Sequence, residues 1–136
     1  MAQVETVRGA IDITRLGTTL MHEHVFVLNE EIRVNYPGDW DEESRIAGAA
    51  AKLNALRQRG CAAIADPTVI GLGRDIRRVK RVADRTDLHI IVATGLYTYD
   101  EVPFYFPSGA GRAQRAPTRW RPCSSPTSPT ASPAPG

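Results

Sequence analysis

Two short apolar runs with a helical segment between them constrain the fold of this chain more than any other feature. Residues 61–65 and 88–94 are almost entirely apolar, and each run is short enough to form a single strand. Strands that are apolar on both faces are typical of parallel sheets covered by helices. The order strand, helix, strand therefore predicts parallel pairing through right-handed crossovers, and hence an α/β fold.

Two helices are predicted from the spacing of apolar residues. Residues 39–60 place apolar side chains at helical intervals, Asp39 and Glu42 have capping-box spacing, and Gly60 suits a C-terminal stop. A second helix before residue 86 has a basic face that we expect to be solvated, because aspartates interleave with its cations. That face consists of Arg74, Arg77, Arg78, Lys80, Arg81 and Arg85. Residues 1–17, interrupted by two glycines, predict a small β-hairpin or a lid.

A pair of histidines lies in the segment Thr-Thr-Leu-Met-His-Glu-His-Val, residues 18–25. Side chains two apart on a strand share a face, so the imidazoles of His22 and His24 can converge on one cation. Imidazole nitrogen is a ligand for Zn²⁺, Fe²⁺ or Co²⁺, but two ligands do not complete a site. The spacing differs from the helical His-Glu-x-x-His signature, so Glu23 is a poor candidate for a general base. On spacing alone, two histidines without a metal remain an alternative.

Several polar residues follow predicted strands. Functional residues of parallel α/β folds lie at the carboxyl ends of the strands. We therefore expect one edge of the sheet, its rim, to carry His22, His24, Asp66 and Tyr97. Asp66 is interpreted as a carboxylate that caps its loop or orients a neighbour, rather than as a metal ligand. His89, at the other end of its strand, is expected to be structural.

Arg74 and Asp75 open the second predicted helix. We expect them to cap that helix and to form hydrogen bonds at the rim.

Composition excludes some classes of partner. The net charge of +2 is too small to indicate a nucleic-acid or membrane partner. The first residues lack the basic start and apolar run of a signal peptide, and no stretch approaches the ~20 apolar residues of a membrane span, so a cytoplasmic location is expected. Cys61 and Cys123 are expected to be reduced thiols.

The character of the sequence changes at residue 107. Residues 107–136 contain seven prolines, five serines and four arginines, and they lack Asp, Glu, Leu, Ile and Val. Such a segment buries too little apolar surface to offset its chain entropy and is predicted to be disordered. A natural linker, a basic interaction tail and a reading-frame slip in a high-GC gene all fit. We favour the slip, because residues 102–106 look like an active-site loop that stops before its next helix.

Residues 5–106 resemble the phosphotriesterase family of the amidohydrolase superfamily, most closely its phosphotriesterase-like lactonase branch. Residues 19–25 read Thr-Leu-Met-His-Glu-His-Val, and residues 66–75 read Asp-Pro-Thr-Val-Ile-Gly-Leu-Gly-Arg-Asp. Residues 93–99 read Ala-Thr-Gly-Leu-Tyr-Thr-Tyr and are followed by Pro-Phe-Tyr-Phe at 103–106. The resemblance implies a (β/α)₈ TIM barrel, which takes about 250 residues. Residues 1–106 would form about three βα units of it, and 107–136 a non-native tail.

The resemblance also implies a centre with two divalent metal ions of the zinc type. In it, His22 and His24 would be ligands of the more buried ion, while Tyr97 and Tyr99 would line the substrate pocket. From the residues alone, ordinary aromatic packing of the two tyrosines remains an alternative. The family completes this centre with a carboxylated lysine on strand four, two histidines on strands five and six, and an aspartate on strand eight. No residue here matches those positions, so no catalytic residue is assigned in this chain.

The expected function is that of a metal-dependent hydrolase acting on a small-molecule lactone or organophosphate ester. The family resemblance allows a homodimer, and the composition leads us to expect no nucleic-acid or membrane partner. We expect this chain to be a truncated and inactive form of that enzyme. The alternative is a small non-enzymatic protein that binds a partner through its Arg/Pro/Ser-rich tail.

Overall fold

A computed structural model describes residues 2–97, so the tail at 107–136, the segment 102–106, Tyr99 and Cys123 lie outside the described residues. A 3₁₀ turn at Ile13–Arg15 follows the second strand. No helix in the described range is long and apolar enough to cross a membrane. The strands are β1 (Gln3–Thr6), β2 (Gly9–Asp12), β3 (Thr18–Leu20), β4 (Cys61–Asp66) and β5 (His89–Val92); the helices are α1 (Glu30–Asn35), α2 (Glu42–Gln58) and α3 (Ile76–Ala83).

The strands form a hairpin and a parallel sheet, as the sequence predicts. Strands β1 and β2 pair antiparallel, while β3, β4 and β5 lie side by side in parallel order. Helix α2 connects β3 to β4 and helix α3 connects β4 to β5. In this register Ile64 lies opposite both Leu20 and Ile90. Two successive strand–helix–strand units therefore place the carboxyl ends of three strands at one edge.

The core forms where the two longer helices pack against the sheet. Burial of this apolar surface is the main force that holds the helices in place. The N-terminal hairpin joins the core through Val7, whose backbone N–H donates to the carbonyl of Ile90 over 2.9 Å. Arg8 donates to the carbonyls of Thr86 and Leu88 and so fixes the hairpin beside the start of β5. Fully buried members of the core are Ile46, Ile64, Val82, Ala83, Leu88 and Ile90.

The predicted start of the first long helix is wrong by two residues. Asp41, not Asp39, caps α2 and accepts a hydrogen bond from the N–H of Ser44 over 2.5 Å. A turn precedes this cap, because the N–H of Trp40 donates to the carbonyl of Pro37 and Gly38 has a φ of 52°. Helix α1, which the sequence did not indicate, is capped by Asn29.

Arg78 contradicts the prediction that the whole basic face of α3 is solvated. Its side chain is 1% exposed and forms ion pairs with Glu30 at 2.5 Å and with Glu42 and Asp75 at 3.4 Å. Three helices begin at these carboxylates, since Glu30 and Glu42 lie in the first turns of α1 and α2 and Asp75 caps α3. One buried cation therefore joins three helix N-termini. Arg74 is also only partly exposed, with its Nε and Nη1 atoms buried. The other members of the face are exposed, as expected, and Arg81 pairs with Glu42 at the surface.

The ion pairs of Arg78 change the pKa values of the groups involved. Burial would raise the pKa of Glu30, but the hydrogen bonds and charges of Arg78 and Arg33 outweigh it and hold that pKa below its usual value. Burial would lower the pKa of Arg78, but the hydrogen bond to Glu30 and the surrounding carboxylates raise it. Because the pKa of Glu30 is depressed on folding, its contribution to stability is present above the usual glutamate pKa and is lost as pH falls through the folded pKa.

Replacing Arg78 by methionine tests the role of this buried cation. Arg78→Met leaves three partly buried carboxylates without their shared partner, and we expect it to lower the free energy of unfolding by about 2 kcal/mol. This value is below the ~3–5 kcal/mol typical of deeply buried pairs, because the carboxylates keep some solvent contact. The measurement is urea unfolding followed by circular dichroism. The matched control is Arg81→Met, on the same helix but exposed, for which we expect little change. Equal effects of the two substitutions would contradict the account.

Candidate functional site

The loop after β3 is fastened to β4 and to the loop that follows β4. The N–H of Glu23 donates to the carbonyl of Ala65 over 3.1 Å, which continues the parallel pairing beyond the last residue of β3. The N–H of Leu28 donates to the carbonyl of Leu72 over 3.1 Å. Residues 21–28 are therefore held against residues 65–72 at both ends.

The loop after β4 is fastened in turn to the segment after β5. The N–H of Ile70 donates to the carbonyl of Gly95 over 3.3 Å, and its own carbonyl accepts from the N–H of Tyr97 over 2.8 Å. The N–H of Ala93 donates to the carbonyl of Asp66 over 2.9 Å. Three consecutive segments at the carboxyl edge of the sheet thus form one continuous rim.

Two glycines allow these loops to approach so closely. Gly73 has a φ of 81°, and a Cβ at this position would overlap the backbone carbonyl of Leu28. Gly71 has a φ of 97°, and a Cβ there would lie 2.9 Å from the carbonyl oxygen of Tyr97. Both positive φ values favour glycine over residues with a side chain.

The two predicted metal-ligating histidines lie close together on this rim. Strand β3 ends at Leu20, so the prediction that His22 and His24 lie within a strand is wrong. The bond from Glu23 to Ala65 keeps this segment aligned with β4, but its residues do not form regular strand pairing. The two rings nevertheless meet edge to face, with centroids 5.1 Å apart and planes at 78°. The structure therefore brings the two imidazoles together without strand geometry.

Asp66 and Thr68 lie directly behind His24. Asp66, the last residue of β4, is 2% exposed and accepts hydrogen bonds from the N–H and the hydroxyl of Thr68 over 2.9 and 2.5 Å. Its other oxygen accepts from the N–H of Val25 over 3.4 Å. This confirms the interpretation of Asp66 as a loop-capping carboxylate. Its Oδ1 lies 3.8 Å from Nδ1 of His24, beyond hydrogen-bond distance.

Thr68 is a site residue that the sequence analysis did not identify. Its hydroxyl lies 2.8 Å from Nδ1 of His24 and the residue is 4% exposed. The sequence Asp-Pro-Thr contains a signal for it, because an aspartate commonly bonds to the backbone two residues later. The side chain that the threonine hydroxyl contacts depends on where the loop after β3 lies. No local sequence pattern gives that position.

The residues at the rim fit part of a metal site. Imidazole is a suitable ligand, and the bond from Nδ1 of His24 to Thr68 leaves Nε2 as the nitrogen available to an ion. Within residues 2–97, however, no group of three or more His, Cys, Asp or Glu side chains is arranged to hold a metal ion. The described residues therefore offer a pair of neighbouring imidazoles, one of which is hydrogen-bonded to Thr68.

The other candidate residues lie apart from the histidine pair or outside the described range. His89 begins β5, so it lies at the opposite end of the sheet from the rim. Burial, and then the positive charges of Arg8, Arg15 and Arg57, lower the pKa of His89, which favours a neutral structural imidazole. Tyr97 lies on the rim and is 37% exposed. Asp75 caps α3, as expected, by accepting from two backbone N–H groups.

Comparisons with known proteins give a consistent result. The sequence profile of the Phosphotriesterase family matches residues 2–119. The "Phosphotriesterase homology protein" of Mycobacterium tuberculosis is 59% identical over 107 residues, which cover 78% of this chain and 33% of that protein. An "Aryldialkylphosphatase" of Saccharolobus solfataricus is 37% identical over 99 residues, which cover 73% of this chain and 32% of that protein.

A solved structure agrees with the sequence matches. The structure of the phosphotriesterase from Mycobacterium tuberculosis superimposes with a TM-score of 0.76 and 58% sequence identity, and the match covers 77% of this chain and 33% of that one. The chain thus spans about a third of the length of the relatives it matches.

The close approach of the rim loops leads to a test with two glycines. Gly73→Ala adds a Cβ against the Leu28 carbonyl at a positive φ, and we expect it to lower the free energy of unfolding by about 2 kcal/mol. The control is Gly48→Ala within α2, where an added Cβ meets nothing within 4 Å and helix propensity improves, so that stability should rise by about 0.5–1 kcal/mol. Thermal unfolding of both variants measures the difference. If Gly73→Ala proved as well tolerated as Gly48→Ala, the rim could not be as tightly joined as described.

Proposed function

Because this chain belongs to the phosphotriesterase family, we propose that it forms the first part of the metal site of a hydrolase that acts on lactones and phosphotriesters. Its described residues are a mixed α/β portion of the family's TIM-barrel fold. The observation that carries the proposal is the pairing of the His22 and His24 rings at the carboxyl edge of a parallel sheet. Functional groups of barrel enzymes lie at this edge.

In this proposal His22 and His24 hold one of two zinc ions. Bound metal ions lower the pKa of a water molecule and polarise the carbonyl or phosphoryl oxygen of the ester. The protein's own contribution is to present both rings from one rigid loop. The bond from Glu23 to Ala65 fixes the backbone between the two histidines, and Thr68 fixes one ring.

Tyr97 and Tyr99 are proposed to contact the substrate. A tyrosine combines an apolar ring with a hydroxyl that can orient a carbonyl or phosphoryl oxygen, which suits a pocket for small esters. Support for Tyr97 comes from its exposure and from the backbone bond that ties it to Ile70. Tyr99 lies outside the described residues, so its role rests on the family resemblance.

We propose further that the 136 residues alone do not catalyse hydrolysis. The described part supplies two imidazoles, whereas Lys52 and Lys80 lie on helices and His89 lies at the other end of the sheet. The cytoplasmic location, the homodimer and the division of the chain at residue 106 remain predictions.

Metal content and turnover test this proposal together. We expect the purified chain to keep less than one equivalent of Zn²⁺ after mild chelation, because an incomplete ligand set binds weakly. Hydrolysis of lactones and aryl phosphotriesters should then equal the buffer rate. Atomic absorption and a spectrophotometric assay are the measurements.

The controls for this test are single substitutions of histidines. His22→Ala and His24→Ala remove the proposed ligands, whereas His89→Gln alters the imidazole at the far end of the sheet. Zinc retention or turnover that is lost in His22→Ala and His24→Ala but kept in His89→Gln would show that the chain completes the site by itself or with a second copy. Retained zinc would overturn the expected weak binding, turnover would overturn the proposed inactivity, and either result would support the assignment of the ligands.

A further inference from the structure

The hydroxyl of Thr68 connects a buried carboxylate to a proposed metal ligand. Oγ1 of Thr68 lies 2.5 Å from Oδ1 of Asp66, 2.8 Å from Nδ1 of His24 and 3.3 Å from the carbonyl oxygen of Phe26. Asp66 and Thr68 are 2% and 4% exposed, so water does not compete freely for these bonds. Three groups thus surround one hydroxyl, which has a single proton to donate.

Counting donors and acceptors decides where that proton lies. The oxygens of Asp66 already accept from the N–H groups of Thr68 and Val25, and a backbone carbonyl only accepts. The hydroxyl proton therefore goes to Asp66, whose Oδ1 is the nearest of the three neighbours at 2.5 Å and, as a carboxylate oxygen, only accepts. The remaining neighbour, Nδ1 of His24, must then be the donor to Oγ1. A neutral His24 ring must therefore carry its proton on Nδ1.

We propose that Asp66 and Thr68 are positioning residues that fix His24 in its Nδ1–H tautomer and direct the free Nε2 lone pair toward the metal. A free imidazole favours the opposite tautomer, so the protein has to impose this one. Supporting partners of this kind set both the tautomer and the orientation of ligating histidines. The metal role of His24 rests on the proposed function, but its tautomer is a property of the metal-free chain.

The first test uses the complete 136-residue chain without metal, labelled with ¹⁵N-histidine. The ¹⁵N chemical shifts of a neutral imidazole distinguish Nδ1–H from Nε2–H. The chain has three histidines, and the signals lost in His24→Gln identify His24. We expect His24 to be mainly Nδ1–H. A mainly Nε2–H ring of His24 in the unaltered chain would overturn the proposal, whatever the stability of variants at Thr68.

Two substitutions of Thr68 separate positioning from packing. Thr68→Val keeps the size of the side chain but removes the hydroxyl, so His24 should revert toward Nε2–H and its Zn²⁺ dissociation constant should rise about tenfold. Thr68→Ser keeps the hydroxyl and should restore both values. If Thr68→Val retained the Nδ1–H tautomer, or if serine failed to restore it in a folded variant, Thr68 would not set the tautomer and the proposal would be wrong.

The two proposals fail in different ways. If His24 is Nδ1–H and responds to Thr68→Val, but Zn²⁺ leaves its Nε2 signal unchanged, then the positioning of the ring is supported and the metal-binding role is contradicted. If Zn²⁺ shifts the Nε2 signal while the metal-free ring is Nε2–H, then the metal role is supported and the positioning by Asp66 and Thr68 is contradicted.

Discussion

The hydrogen bonds that continue the parallel pairing into the loops are the constraint on which the rest of the site depends. Strand β3 has three residues, yet the bond from Glu23 to Ala65 extends its alignment to the segment between the two histidines. A loop without such bonds would sample many conformations and separate the two rings. The loop after β4 restrains the loop after β3, and β5 with the segment that follows it restrains the loop after β4. One rim therefore forms from three segments that are distant in sequence.

Arg78 supports the same region from the helical side. Its guanidinium lies 5.4 Å from the ring centre of Trp40 and 5.9 Å from that of Phe26. Phe26 belongs to the loop that carries the histidines, and its carbonyl oxygen lies 3.3 Å from the hydroxyl oxygen of Thr68. The buried cation thus connects the helix N-termini to the loop behind the site. Carboxylates are stabilising near helix N-termini, but three of them close together repel one another. The positive charge of Arg78 offsets that repulsion.

The sequence predicts the elements of this fold better than it predicts the contacts between them. The hairpin, the parallel strands and both longer helices follow from periodicity and from glycine positions. Arg78 has the same local pattern as its solvated neighbours, so its burial follows only from the approach of Glu30, 48 positions away. Likewise, the sequence identifies His22 and His24 as candidate site residues. The hydrogen bond between His24 and Thr68 spans 44 positions and depends on where the loop after β3 lies.

The central claim is that His22 and His24 act as a pair on one ion while His89 takes no part. The most direct measurement is a Zn²⁺ titration of the ¹⁵N-histidine-labelled chain that follows all three imidazoles at once. The account predicts that the Nε2 signals of His22 and His24 shift together at the same Zn²⁺ concentration while the His89 signals stay unchanged. Independent shifts of His22 and His24 at different concentrations, or a response of His89 alone, would contradict it.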